Sequence, residues 1–150
     1  MKHLREELDR LLNELPRIVN GLGEAEFIRK PSSAKWSKQE ILGHLCDSAA
    51  NNHVRFVWIM TSEAPITVEG YPQDEWVKLH DYQHGYARPE LLALWKLLNG
   101  QIRNVLQSAT APDWRKRCLL SAGGELTLAE LFEDYLRHME HHLDQLREIG

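Results

Sequence analysis

The sequence predicts an all-α protein, an antiparallel four-helix bundle with a possible short hairpin before the last helix. Three observations predict it. Four segments carry apolar residues at spacings of three and four, the period of one helix face. Two of those segments open on a Ser/Thr-x-x-Glu pattern, which closes a helix N-terminus by reciprocal hydrogen bonds. The chain has 150 residues, 43% hydrophobic and 27% charged, a length and composition that suit one domain with its own core.

The first helix is expected over Lys2 to Gly21, where Leu4, Leu8, Leu11, Leu12, Leu15, Ile18 and Val19 form the apolar stripe. Pro16 lacks an N–H and crowds the preceding turn, so a kink is expected there. Gly21 and Gly23 supply the stop. The second helix opens on the capping box Ser37-Lys38-Gln39-Glu40 and ends near Thr61, before Pro65. Its stripe is Ile41, Leu45, Ser48, Ala49, Asn52, Phe56 and Ile59. Trp36, just before the cap, is placed to pack over the first turn as a hydrophobic staple. From Ser62 to Ala87 the chain reads as irregular, with Pro65, Gly70, Pro72 and Gly85, although Gln73 to His80 can make a short helix. A connection this long inside a compact domain is uncommon and often functional.

The third helix is expected over Pro89 to Ser108, with proline in the tolerated first turn. Leu91, Leu92, Trp95, Leu98, Ile102, Val105 and Leu106 mark its buried side. Gly123-Gly124, between the short apolar runs Trp114 to Leu120 and Leu126, reads as a hairpin or tight loop. The fourth helix opens on the capping box Thr127-Leu128-Ala129-Glu130 and runs to about Ile149. These connections are compatible with several bundle topologies.

The net charge is −4 with neutral histidines, and lysine and arginine are scattered, so a nucleic-acid partner is not expected. No run of about 18 apolar residues is present, so no membrane span is expected. The N-terminus starts directly on an amphipathic pattern without the apolar core of a secretory signal, which points to the cytoplasm. Cys46 and Cys118 are far apart, form no CxxC motif and suit a reducing compartment. Cys46 has no evident activating neighbour and reads as a small packing residue.

Eight histidines raise the question of where each one points. On the fourth helix the core stripe is Leu128, Leu131, Phe132, Tyr135, Met139 and Leu146. At about 100° per residue, His142 falls within that arc and His138 on its edge. Their i,i+4 spacing lets two imidazoles reach one ion. His141 points towards solvent or the outer surroundings of such an ion. On the second helix His44 lies at the edge of the apolar arc and is placed to face the same interior. A histidine on an apolar face is either a hydrogen-bonded core residue or a ligand, and periodicity alone leaves both open. As ligands, three neutral imidazoles from two helices would leave coordination positions open for water or substrate, as a catalytic site requires. Such a donor set suits Zn²⁺ or Ni²⁺ and fits Mg²⁺ poorly.

These residues also carry a family resemblance. Trp36-Ser37-x-x-Glu40-Ile41-Leu42-Gly43-His44-Leu45-x-Asp47-Ser48, with Arg55 eleven residues beyond His44, resembles the second-helix signature of the DinB / YfiT-like superfamily. Gly70-Tyr71-Pro72-Gln73-Asp74-Glu75-Trp76 resembles its loop, and Leu126 to Leu131 with His138-x-x-x-His142-Leu143-x-Gln145 resembles its final helix. The resemblance spans essentially the whole chain, with the motifs in order. It implies an up-down-down-up bundle and a divalent metal held by His44, His138 and His142. It further implies chemistry like that of thiol-dependent S-transferases, such as bacillithiol transferases and mycothiol-dependent maleylpyruvate isomerases, or of provisionally labelled metal-dependent hydrolases. It implies in addition a low-molecular-weight thiol as cosubstrate and pairing of two chains as a homodimer. Two positions depart from the pattern: Ala49 stands where the family often has Glu, and Pro72 where Asp is common.

Asp47, Arg55 and Tyr71 are the candidate catalytic residues. Asp47, one turn beyond His44, either orients a ligand or a neighbouring arginine, or is a solvated helix-face acid. Arg55 either binds a substrate carboxylate through both nitrogens or pairs with a structural acid. Tyr71, Asp74 and Trp76 either cap the metal pocket or, for Trp76, anchor the long loop. His80 and His84 repeat the i,i+4 spacing, but no apolar stripe runs through them and Gly85 and Pro89 follow closely. The expected function is a metal-dependent enzyme, a thiol S-transferase or hydrolase acting on a small electrophilic molecule. The alternatives are a non-catalytic metal-binding stress-response module and a helical interaction protein without metal.

Overall fold

The computed structural model describes residues 1–148. Four long helices make the bundle: α1 (Lys2–Gly21), α3 (Lys38–Thr61), α5 (Arg88–Gln107) and α7 (Leu128–Arg147). Between them lie short helices α2 (Glu24–Ile28), α4 (Gln73–His80) and α6 (Ala111–Trp114), and strands β1 (Ile66–Val68), β2 (Arg117–Leu120) and β3 (Glu125–Thr127). The expected apolar stripes form the core: Leu4, Leu8, Leu11, Leu15 and Val19 meet Phe56, Trp95, Ile102, Phe132 and Leu143. α1 passes through Pro16 unbroken, and that proline is buried. The expected C-terminal end of the last helix, Ile149, lies outside the described residues.

Both predicted capping boxes form. The Glu40 N–H donates to Ser37 Oγ (3.1 Å), and the Ser37 N–H donates to Glu40 Oε1 (3.0 Å). The Thr127–Glu130 pair does the same at 2.8 and 3.1 Å. Each fixes the phase at which a helix bearing site histidines begins.

Side-chain contacts set the direction of every helix. Arg10 pairs with Glu140 and Glu14 with Arg147, so α1 and α7 run parallel. Asp9 pairs with Arg103, while Arg88 Nη1 donates to the Val19 and Leu22 carbonyls, so α5 runs against α1. Gln39 Nε2, at the start of α3, donates to the Tyr82 and Tyr86 carbonyls (2.7 and 2.8 Å) just ahead of α5, so α3 and α5 start at the same end. Lys38 Nζ donates to the Glu148 carbonyl at the far end of α7. The result is the up-down-down-up order, made possible by the long connection between α3 and α5.

That connection carries the expected short helix and, beyond what the sequence predicts, a strand. α4 forms over the expected residues, and Ile66–Val68 is a strand. β1 pairs in parallel with β2 (Ile66 with Cys118, Val68 with Leu120), and β2 pairs antiparallel with β3 (Cys118 with Leu126). β2 and β3 are the expected hairpin, turning through Gly123 and Gly124 at φ 106° and 90°, where a side chain would be strained. β1 escapes pattern reading because three residues cannot show a period and their partner lies far along the chain. The sheet ties the segment after α3 to the segment before α7 and so fixes the loop from Glu69 to Pro72 and the start of α4 beside both helices. Among the described residues, no helix is long and apolar enough to cross a membrane.

Candidate metal centre

α3 and α7 bring His44, His138 and His142 together. His138 Nε2 lies 3.1 Å from His44 Nε2 and 3.1 Å from His142 Nε2. One ring nitrogen from each residue lies within 4.8 Å of the other two. His44 and His142 are buried and His138 is half-buried. The three rings meet edge to face, with centroids 4.5 to 5.0 Å apart. An ion bound at 2.0–2.1 Å spaces two nitrogens by about 3.0 Å at a right angle and about 3.4 Å at the tetrahedral angle. The two separations from His138 fall between those values, and the third, within 4.8 Å, closes to them by a small inward turn of the His44 and His142 rings, so the donor set fits a divalent transition ion.

The far sides of two rings are held as ligands need, while His44 Nδ1 is buried without a hydrogen-bond partner among the described residues. Gln145 Oε1 accepts from His142 Nδ1–H at 2.8 Å, which leaves the Nε2 lone pair facing the cluster. Ser48 Oγ stands 3.5 Å from His138 Nδ1, and Ser48 is itself held by Asn52 Nδ2, 2.8 Å from its carbonyl. Trp36 lies against His44 with ring centroids 4.7 Å apart and against His142 at 6.4 Å. It therefore walls one side of the centre, a role beyond the staple expected of it. Its position before the second helix was the sequence signal, but a contact with residues of α7 could not be read there.

Burial keeps the imidazoles neutral. It pushes His44 down to about 3 and His138 to about 4, with the neighbouring imidazoles adding to the effect. Burial also lowers His142, against the opposing hydrogen bond it donates to Gln145. Neutral rings are the ligating form. The unfolded chain binds protons on histidine from about pH 6.5 downward, while the folded chain takes them up only nearer these depressed values, so protons favour unfolding in between. The metal-free protein is therefore expected to lose thermal stability progressively as pH falls from about 6.5 towards 4. A melting-temperature series across that range tests this, and a flat profile contradicts it.

The candidate catalytic residues lie around this centre in two groups. Arg55 and Tyr71 line a cavity of about 180 Å³ with Ser48, Gln73, Asp134 and His138. Arg55 is half-buried. Its Nη1 reaches Asn52 Oδ1 at 3.5 Å, its Nη2 donates to the Glu69 carbonyl, and its guanidinium lies 6.0 Å from the Tyr71 ring. The structural acid considered for it is absent among the described residues. Burial pushes the Tyr71 hydroxyl up to about 12, so it stays protonated and can donate a hydrogen bond.

Asp47 points elsewhere. It is buried, not solvated, and its Oδ1 accepts from the Tyr82 hydroxyl (2.6 Å) and lies 3.1 Å from His80 Nδ1. Burial raises its pKa while Tyr82 and His80 lower it. Asp47 thus fastens the α4 connection to α3. A Cβ on Gly43 would stand 2.2 Å from the Tyr82 ring, so the glycine is what lets that tyrosine close onto α3. Trp76 packs against Tyr71 at 5.1 Å and His80 at 5.7 Å, an anchor within the same connection. His80 takes part through Asp47, whereas His84 meets only the exposed Asp81 at 3.1 Å. Ala49 is fully buried in the apolar core. Five residues beyond His44, it lies about 140° around α3 from that histidine, so an acid there would project from a different side of the helix.

The fold and the site together define a four-helix bundle of up-down-down-up order that gathers three neutral histidines from its second and last long helices. The sequence profile of the DinB superfamily matches residues 7–146, and the chain belongs to that family. A relative from Bacillus mycoides, provisionally named a metal-dependent hydrolase, is 27% identical over 137 residues, covering 91% of this chain and 78% of its own length. One from Geobacillus kaustophilus with the same provisional name is 28% identical over 140 residues, covering 93% and 78%. Among solved structures, YfiT from Bacillus subtilis, described as a probable metal-dependent hydrolase with an unusual four-helix bundle topology, superposes with a TM-score of 0.85. It is 22% identical, with 97% of this chain and 82% of that one covered. A mycothiol-dependent maleylpyruvate isomerase superposes at 0.78 with 15% identity, covering 99% and 61%. These two likenesses are of fold.

Proposed function

We propose that the chain is a metal-dependent enzyme whose His44, His138 and His142 hold one divalent transition ion, Zn²⁺ or Ni²⁺, beside a pocket for a small electrophilic substrate. The observation that carries this reading is the convergence of three neutral imidazoles, with His138 Nε2 3.1 Å from both of the others and His138 itself lining a cavity that also holds Arg55 and Tyr71. Bound there, a divalent ion supplies Lewis-acid chemistry, lowering the pKa of a thiol or water and stabilising the anion for attack.

The protein's own groups do the rest. Gln145 fixes the tautomer of His142. Trp36 keeps water from one side of the cluster. Arg55 has donors to offer a substrate carboxylate, and the protonated Tyr71 can donate to oxygen as negative charge develops on it. Asp47 acts through Tyr82 and His80, holding the connection that presents Tyr71. With a low-molecular-weight thiol as cosubstrate the reaction is S-transfer or thiol-assisted isomerisation, and with water it is hydrolysis. The provisional names of the relatives support the second, and the thiol dependence of the superposed isomerase supports the first.

The test is turnover of generic electrophiles and esters, with and without an added small thiol, by zinc- or nickel-reconstituted protein. His142→Ala is expected to lower the rate by at least about a hundredfold. An unchanged rate in that variant removes the reading.

A further inference from the structure

On the far side of Arg55 from the cavity lies a second, larger depression that the proposed chemistry does not use. It is a groove of about 570 Å³ whose walls include Val54, Arg55, Trp58, Ile66 and Trp76. Trp58 is 58% exposed and Val54 43%, unusual for large apolar side chains one turn apart on a helix. Arg55 borders both spaces, and the Tyr71–Trp76 contact joins their walls, with Tyr71 lining the cavity and Trp76 the groove.

Sites for small organic molecules occupy roughly 300–1,000 Å³. The cavity beside His138, at about 180 Å³, is too small to hold such a ligand alone. The groove supplies the missing volume, and its surface is mostly apolar, with Asn51, Thr67 and Glu69 as its polar lining beside Arg55. The junction is a cation: the Arg55 guanidinium, whose contacts are an amide oxygen and a backbone carbonyl, with no carboxylate partner among the described residues. The nearby acid Glu69 is exposed and lends Arg55 its carbonyl, not its side chain.

We infer that the groove and the cavity form one elongated binding site, divided at Arg55, for a small amphiphilic carboxylate. Its acid group pairs with Arg55, its aromatic or branched aliphatic arm lies on Trp58, Val54 and Trp76, and its reactive end enters the cavity. This deepens the reading above and rests on the cavity being the substrate pocket. Burial of the arm and a charge-assisted bidentate pair each add to affinity, and only the second depends on the acid.

The experiment measures binding without turnover. 4-Phenylbutyrate and its uncharged analogue 4-phenylbutanol are titrated into the wild-type chain and read by calorimetry and by amide chemical shifts. The carboxylate is expected to bind about tenfold more tightly than the alcohol and to shift residues 54–58 and 66–70. Arg55→Met is expected to remove that preference, and Trp58→Ser to weaken both probes about threefold or more. Trp58 is mostly exposed, so its variant reports even if Arg55→Met folds poorly. The carboxylate preference is expected to persist in chelator-treated, metal-free protein, which separates this inference from the metal, and its loss there overturns it. Equal binding of the two probes, shifts confined to other residues, or no binding overturns it. So does a wild-type dimer that Trp58→Ser dissociates, which would assign the groove to a second copy.

Discussion

Gly43→Ala is expected to destabilise the protein by about 2 kcal/mol, a drop of roughly 4–8 °C in melting temperature for a chain of this size. Two effects oppose each other. Alanine is the better helix former by about 1 kcal/mol, which taken alone would raise stability. Against it, the new methyl carbon would stand 2.2 Å from Cγ and Cδ2 of Tyr82. Tyr82 is 3% exposed and bonded through its hydroxyl to Asp47, so its ring has little room to give. Overpacking of this kind costs about 1–3 kcal/mol, and displacing the ring also strands the buried Asp47 carboxylate, so the steric term wins. The same variant is expected to loosen the connection carrying Tyr71 and so to lower activity. Thermal denaturation decides the matter, because an unchanged or higher melting temperature contradicts the packing described here.

His138→Ala is the second large effect. Its Nε2 is the atom that approaches both of the other histidines, so its loss leaves two nitrogens without their common neighbour. At free metal one hundredfold above the dissociation constant, the wild-type chain is expected to gain about 2.7 kcal/mol, or roughly 5–11 °C. The variant at the same metal concentration is expected to gain less than about 2 °C. Its own metal-free stability should stay near that of the wild type, since His138 is half-buried at the edge of the core. Equal shifts in the two proteins would mean that the ion stabilises the fold from some other place.

Much of this was legible in the residues. The capping boxes at Ser37 and Thr127 fixed where the second and last long helices begin, and therefore which side chains face inward. From that phase alone His142 falls on the buried arc and His138 on its edge, as observed, whereas His44, expected at an edge, is fully buried because the whole first half of α3 is covered. Helix direction was not legible in periodicity, because it depends on pairs such as Arg10 with Glu140, far apart in the chain. The resemblance supplied it instead. β1 and the short helices α2 and α6 were missed for a simpler reason: three to five residues cannot display a period. Asp47 shows the limit most clearly. Its helical position is compatible with the site, yet its partners Tyr82 and His80 come from a connection whose path no local rule dictates. Gly43 stood only as one letter of the family motif; a glycine in mid-helix is compatible with a close approach, but nothing in the sequence says that a tyrosine makes it. Trp36 and Gln145 carry the same lesson, since each touches the histidine cluster through a neighbour that only the folded chain provides.

The central claim is that three imidazoles share one ion, and X-ray absorption at the metal edge, joined to elemental analysis, tests it most directly. The account predicts about one zinc or nickel ion per chain, with about three imidazole nitrogens at roughly 2.0–2.1 Å, falling to background in His138→Ala. A chain that retains no transition metal after reconstitution, or an ion whose spectrum lacks imidazole scattering, would contradict it.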